Sequence, residues 1–246
     1  ASDVYKRKDN GLDITSGIQN YPDARFALIT PAHQSPLGVA LSLARRHQIL
    51  EWADRSQAWI IEDDYDSEFR YHGKPLPALK SLDAPQRVIY AGTFSKALFP
   101  ALRCAWLVLP VKQIAQFRHQ ASLAPCAVPV LWQNTLADFL REGHFWRHLK
   151  KMRQHYAQRR QWIEQALTQQ GFQVVPQKGG IQMVIRMIGD DIAHARKANA
   201  AGLAVQALSD WRIRSSGEGG LLLSFTNIVN EGMARQVAQQ LRKALS

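Results

Sequence analysis

The chain reads as an α/β fold in which a mainly parallel sheet is followed by a smaller α+β unit. Three observations predict this. Short, unbroken apolar runs recur through the first 110 residues, as strands buried on both faces require. A helical pattern separates the first two runs. A stretch from Val128 to Gly171, poor in breakers, then changes the texture before strands return.

Taken in order, Phe26-Ala27-Leu28-Ile29-Thr30 is a strand ended by Pro31. Ser42 is placed to cap a helix whose apolar positions Leu43, Ile49, Leu50 and Trp52 recur near 3.6 residues. Ala58-Trp59-Ile60-Ile61, Val88-Ile89-Tyr90-Ala91 and Ala105-Trp106-Leu107-Val108-Leu109 are three further strands. Strand, helix, strand in succession implies right-handed crossovers. From Val128 to Gly171 only Gly143 interrupts one or two long helices, and Gly171 is their C-cap. Strands follow at Phe172-Gln173-Val174-Val175 and Met183-Val184-Ile185-Arg186. A helix is expected around Ala195–Ser209, a strand at Leu221-Leu222-Leu223-Ser224-Phe225, and a last helix from Glu231. The boundary falls inside the long helical region, giving a larger unit over 1–150 and a smaller one over 151–246. There are no repeats and no low-complexity tracts.

Composition narrows the class. A chain of 246 residues with 46% hydrophobic and 21% charged residues can bury one large core or two modest ones. No apolar run approaches the roughly 20 residues of a membrane helix. The basic first residues are followed by no apolar segment, so they form no signal peptide. Cys104 and Cys126 make neither a metal spacing nor a disulfide framework. These points predict a cytoplasmic protein without a membrane partner. The net charge is +11, which favours polyanionic partners. Between Arg141 and Arg160, seven Lys/Arg stand against Glu142 alone. That run is either a solvated helix face or a surface for nucleic-acid backbone; no zinc-finger or aromatic RNP pattern accompanies it.

The chemistry gathers at two places. Ligands of parallel sheets lie at the carboxyl ends of the strands. Asp63 and Tyr65 are expected just beyond the second strand, and Thr93, Ser95 and Lys96 just beyond the third. An acid, a lysine after a hydroxyl cluster, and Arg103 seven residues on are the parts that hold pyridoxal phosphate. The carboxylate pairs with the ring nitrogen, the amine forms a Schiff base and the arginine neutralises phosphate. Alternatively, the acids of Glu62-Asp63-Asp64-Tyr65-Asp66, with Glu68, hold a divalent cation. No Gly-rich phosphate loop precedes them, however.

The segments Thr30 to Gly38 (TPAHQSPLG), Ile60 to Tyr71 (IIEDDYDSEFRY), Pro75 to Lys80 (PLPALK) and Gly92 to Arg103 together resemble the MocR/GabR family. These are bacterial transcription regulators of the GntR superfamily, in which a winged helix-turn-helix is fused to a fold-type-I aminotransferase-like domain. The resemblance covers nearly the whole chain and is strongest over residues 26–110. It implies pyridoxal 5'-phosphate as cofactor and Lys96 as the Schiff-base lysine. It further implies Asp63 at the pyridinium nitrogen, Tyr65 near the phenolic oxygen, and Thr93, Ser95 and Arg103 around the phosphate. A small amine or amino-acid effector and a homodimer that completes the site are implied too. DNA would be bound only through an N-terminal domain.

Three departures are visible. Ser35-Pro36-Leu37-Gly38 stands where aminotransferases usually have Asn-Pro-Thr-Gly, leaving His33, Gln34 or Tyr65 to replace the asparagine. The stretch Leu221 to Asn227 lacks the arginine for a substrate carboxylate, with Arg212 and Arg214 upstream as substitutes; the substrate-binding residues are otherwise not assigned. No phosphate-binding Gly/Ser turn is recognisable before residue 26, so the chain looks like the C-terminal two thirds of the effector domain. The leading expectation is a ligand-sensing module of a regulator. An active aminotransferase using Lys96 is the alternative, and an oligomerisation remnant without cofactor the third.

Overall fold

The computed structural model describes residues 11–74, 76–124, 128–212 and 218–246. A short helix, α1 (Ile14–Asn20), is capped by Asp13, whose carboxylate accepts from the Ser16 amide. Strand β1 (Phe26–Ile29) follows, then α2 (Leu43–Arg55), capped by Ser42 as its sequence implies. Strands β2 (Trp59–Asp64), β3 (Val88–Thr93) and β4 (Ala105–Val108) complete a sheet of order β1-β2-β3-β4. The first three are parallel and β4 runs antiparallel to β3. The link over residues 94–104 is too short for the crossover a parallel partner needs, so β4 turns back.

One face of this sheet is covered and the other is largely open. Ile29, Ile60 and Val88 pack against Ile49, Leu50, Trp52 and Ala53 of α2. On the opposite face Phe26 and Leu28 remain 62% and 68% exposed, and Leu107 is also exposed. A mainly parallel sheet normally buries both faces; among the described residues this one covers its second face only in part, Ile89 being buried there. That asymmetry bears on the site below.

Helices α3 (Ile114–Leu123), α4 (Val130–Arg141) and α5 (His144–Gln169) come next. Gly143, at φ +73°, separates α4 from α5, and Gly171, at φ +80°, ends α5 while the Phe172 amide donates back to the Leu167 carbonyl. α5 serves two cores. Its start packs Phe145 and Leu149 with Phe69, Phe94 and Ala97, and its end packs Ile163, Ala166 and Leu167 with the second sheet. That sheet is antiparallel, of order β5-β7-β6, built from β5 (Gln182–Met187), β6 (Val205–Ala207) and β7 (Gly219–Ser224). α6 (Asp191–Ala200) and α7 (Glu231–Leu245) contribute Ala195, Ala198, Ala234, Ala238 and Leu241 to its core.

Two expected elements differ. The helix expected around Ala195–Ser209 stops at Ala200, because Gly202 takes φ +87° and the Asn199 side chain both donates to and accepts from the Val205 backbone. That bracket turns the chain into β6. The strand expected at Phe172–Val175 is reduced to an isolated bridge, Val174 to Ile185.

The basic run also divides. Arg153 donates to the Glu68 carbonyl and Arg159 to that of Thr226, while Arg160 is buried beneath the Tyr71 ring. Arg141, Arg147, Lys150 and Lys151 stay on the surface. Among the described residues, no helix is long and apolar enough to cross a membrane.

Candidate functional site

The acids of β2 alternate between the two faces of the sheet. In the parallel ladder Glu62 stands beside Tyr90, Asp63 beside Ala91 and Asp64 beside Gly92. Glu62 and Asp64 share the face covered by α2, and their oxygens are taken. Glu62 accepts from the amides of Leu79 and Lys80 at 2.7 and 2.8 Å. Asp64 accepts from the Tyr90 hydroxyl and the Ser67 hydroxyl, both at 2.8 Å. Asp63 projects to the open face and has no side-chain hydrogen bond or ion pair among the described residues. Burial, then the neighbouring Asp64 and Asp66, push its carboxyl above the usual carboxylate range. Glu62 is raised as well, by burial, against the pull of its two backbone donors.

Asp63 and Thr93 were expected beyond their strands; both lie inside them. The register makes up the difference. Thr93 is two residues past Ala91 on the adjacent strand, so it shares the Asp63 face at the same sheet edge. The Thr93 hydroxyl donates to the Ser95 hydroxyl at 2.9 Å and accepts from the Ser95 amide at 3.1 Å. Lys96 follows in a turn closed by the Leu98 amide on the Phe94 carbonyl at 2.8 Å. Phe94 and Ala97, on either side of Ser95-Lys96, are buried, and Lys96 itself is exposed. Arg103 is exposed at φ 50°, ending the short 3-10 turn Pro100–Leu102. Gly92 leaves room for the Trp106 indole, whose ring would stand 2.3 Å from an added Cβ.

Tyr65 is turned toward the loop after β1. Its hydroxyl lies 3.1 Å from the His33 carbonyl and 3.3 Å from His33 Nδ1. Burial, with Asp66 next, raises the phenol far above its ordinary value, so it stays protonated. Gln34 is spent within its own turn: its side-chain oxygen accepts from the Leu37 amide. Arg46, 2% exposed, holds the same loop by donating to the carbonyls of Leu41, Pro31 and Pro77. Burial lowers its pKa.

Other candidates fall apart. Among the described residues no group of His, Cys, Asp and Glu has the arrangement of a metal centre. Arg212 donates to the Glu218 carbonyl within the smaller unit, and Arg214 lies outside the described residues. A groove of about 890 Å³ between Tyr71, His72 and α5 contains none of the residues above. It is walled mainly by one side of α5, so the strand-end chemistry marks the site better than the size of that depression. Sequence reading missed Arg46, took Asp66 only as one of the acids for a divalent cation, and left His33 among three options. The signals were a histidine three residues after the Thr30 strand end and an arginine on the buried stripe of α2.

The sheet, the long helix and the antiparallel second unit define the fold of class I and II aminotransferases. A family model described as "Aminotransferase class I and II" matches residues 3–217, and the chain belongs to that family. It is 36% identical over 229 residues to the "Probable rhizopine catabolism regulatory protein MocR" of Rhizobium meliloti, covering 91% of this chain and 46% of that protein. It is 32% identical over 225 residues to the "HTH-type pyridoxine biosynthesis transcriptional regulator PdxR" of Corynebacterium glutamicum, covering 91% of this chain and 49% of that protein. The chain thus spans about half the length of these curated relatives. A solved Pyrococcus horikoshii kynurenine aminotransferase superposes with a TM-score of 0.85 at 24% identity, over 97% of this chain and 62% of that one. That likeness concerns the fold.

Proposed function

We propose that this chain is the pyridoxal-phosphate-binding, effector-sensing part of a MocR-type transcription regulator. The observation that carries the proposal is the sorting of acids on β2. Two are consumed on the covered face, while Asp63 alone turns to the open face that also carries Thr93, next to the turn bearing Lys96. An unpartnered, partly desolvated carboxylate on the same sheet face as Thr93, with the turn bearing Ser95 and Lys96 directly after that strand, fits a ligand with a basic ring nitrogen at one end and a phosphate at the other. Relatives named as regulators, matched across 91% of the chain, support the same reading.

When bound, the cofactor supplies an aldehyde that an amine can capture and a ring that draws electron density toward its protonated nitrogen. Asp63 would keep the proton on that nitrogen. Lys96 would provide the amine; it is exposed on a turn anchored by its neighbours, so it can reach without disturbing the core. The Thr93 and Ser95 hydroxyls would donate to phosphate, and Arg103 would balance its charge. Tyr65 would offer its phenol to the cofactor's ring oxygen. The effector is then a small amine or amino acid that competes for the cofactor aldehyde.

The larger unit, 1–150, would hold the cofactor and the smaller, 151–246, would close upon effector, with the division inside α5. A cytoplasmic homodimer and DNA contact through a separate winged helix-turn-helix complete the proposal. The stretch Leu221 to Asn227 carries no arginine for a substrate carboxylate, which favours sensing over turnover. Steady-state transamination with several amino donors separates the two roles. Effector-dependent spectral change without sustained product supports sensing; sustained turnover would replace it with an aminotransferase.

A further inference from the structure

We infer that His33, locked by Asp66, is a positioning residue that fixes the hydroxyl of Tyr65 at the margin of the site; its meaning for a cofactor rests on the reading above. His33 Nδ1 lies 3.1 Å from both carboxylate oxygens of Asp66, and Asp66 is 2% exposed. A carboxylate only accepts, so Nδ1 carries the proton. The other nitrogen, Nε2, is buried and has no partner in the structure. A proton on Nε2 would find no acceptor there, and it would leave Nδ1 facing the carboxylate lone pair to lone pair. Both nitrogens therefore select the same tautomer, a neutral ring protonated at Nδ1.

That tautomer settles what Tyr65 can do. With its proton on Nδ1, the ring cannot accept from the phenol 3.3 Å away, so the phenol donates to the His33 carbonyl at 3.1 Å. Ring and carbonyl of one residue thus define where the Tyr65 oxygen sits. The ring cannot swing aside, because its far edge lies against Gly180. An added Cβ there would stand 2.2 Å from His33 Cε1 and 2.7 Å from Nε2. Gly180 in turn is held by the Tyr71 hydroxyl, which donates to its carbonyl at 2.9 Å, and by its own amide on the Phe69 carbonyl at 2.8 Å. The wedge belongs to the segment leading into β5, so the second unit presses on the tyrosine through one imidazole. Gln34, the neighbouring candidate, is consumed in its own turn and cannot take this part.

Two measurements test the assignment. The first is the pyridoxal phosphate affinity of the full chain, by absorbance titration, for His33→Gln, Tyr65→Phe and the double variant. Tyr65→Phe is expected to weaken binding roughly tenfold, about the worth of one hydrogen bond, and His33→Gln by less, since it keeps the carbonyl and loses only the ring's tie to Asp66. The double variant is expected to be no weaker than Tyr65→Phe alone, since the histidine acts through the tyrosine. Losses that multiply in the double variant would overturn the assignment. The second is the ¹⁵N spectrum of the histidines in cofactor-free protein. His33 is expected as the Nδ1-protonated tautomer, with its signal moved by Asp66→Asn and by Tyr65→Phe. An Nε2-protonated ring, or a signal indifferent to Tyr65→Phe, overturns it. Should the wild type take up no pyridoxal phosphate, the cofactor reading fails and the spectrum alone decides the tie between His33 and Tyr65.

Discussion

The imidazole of His148, on α5, donates to the main-chain carbonyl of Ala97 at 2.9 Å, and Ala97 directly follows Lys96. The turn presenting the lysine is therefore held by a helix whose far end packs into the second sheet. Replacing His148 with Phe keeps the bulk and deletes the donor, leaving the carbonyl unpaired. The expected cost is about 1–2 kcal/mol in a urea titration, with a severalfold loss of pyridoxal phosphate affinity. Unchanged affinity at reduced stability would mean that the pin steadies the fold but not the lysine.

Asp63 should weaken the cofactor-free fold at neutral pH. Its pKa is raised in the folded state, so the protonated form is favoured there. The associated stability is full below the ordinary carboxylate range near roughly pH 4 and is lost as pH rises through the raised value. Asp63→Asn removes that loss. The expected result is a gain below about 1 kcal/mol at pH 7, small because the group is partly exposed, shrinking toward acid pH. Pyridoxal phosphate binding by the same variant should fall.

Arg46 carries the opposite sign. Its guanidinium is buried and donates to three carbonyls from separate segments, at Leu41, Pro31 and Pro77. Arg46→Leu orphans the carbonyls of Leu41 and Pro77, while Pro31 keeps the Leu41 amide, and is expected to cost about 2–4 kcal/mol, read as a lowered urea midpoint. A loss below about 1 kcal/mol would mean that water reaches those carbonyls.

Much of the fold could be read from residue patterns because local chemistry and tertiary structure agree there. Ser42 caps α2, Gly171 ends α5 and α7 begins at Glu231. Where long-range contacts decide, reading failed. Gly202 looks harmless inside an apolar stretch until the Asn199 bracket around Val205 is known. The antiparallel turn of β4 follows from the length of its connection, which apolar content does not report. At the site, alternation along β2 could have singled out Asp63, since Glu62 and Asp64 must point the other way. The tie between Asp66 and His33 spans 33 residues and leaves no periodic trace. Tyr65 was assigned by resemblance to the cofactor oxygen; its bond to the His33 loop is a tertiary fact.

Gly92 is required by the indole of Trp106 crossing above it. Gly92→Ala places a methyl within contact-forbidden range and is expected to destabilise by about 1–3 kcal/mol. Trp106→Leu in the same chain should recover part of that loss. No recovery would locate the problem in the strand backbone.

The most direct measurement is the absorbance spectrum after adding pyridoxal phosphate to the wild type and to Lys96→Ala. A cofactor-binding site with Lys96 as its amine is expected to give a band near roughly 420 nm that the variant lacks. No band in either protein, or an equal band in both, would contradict the central claim.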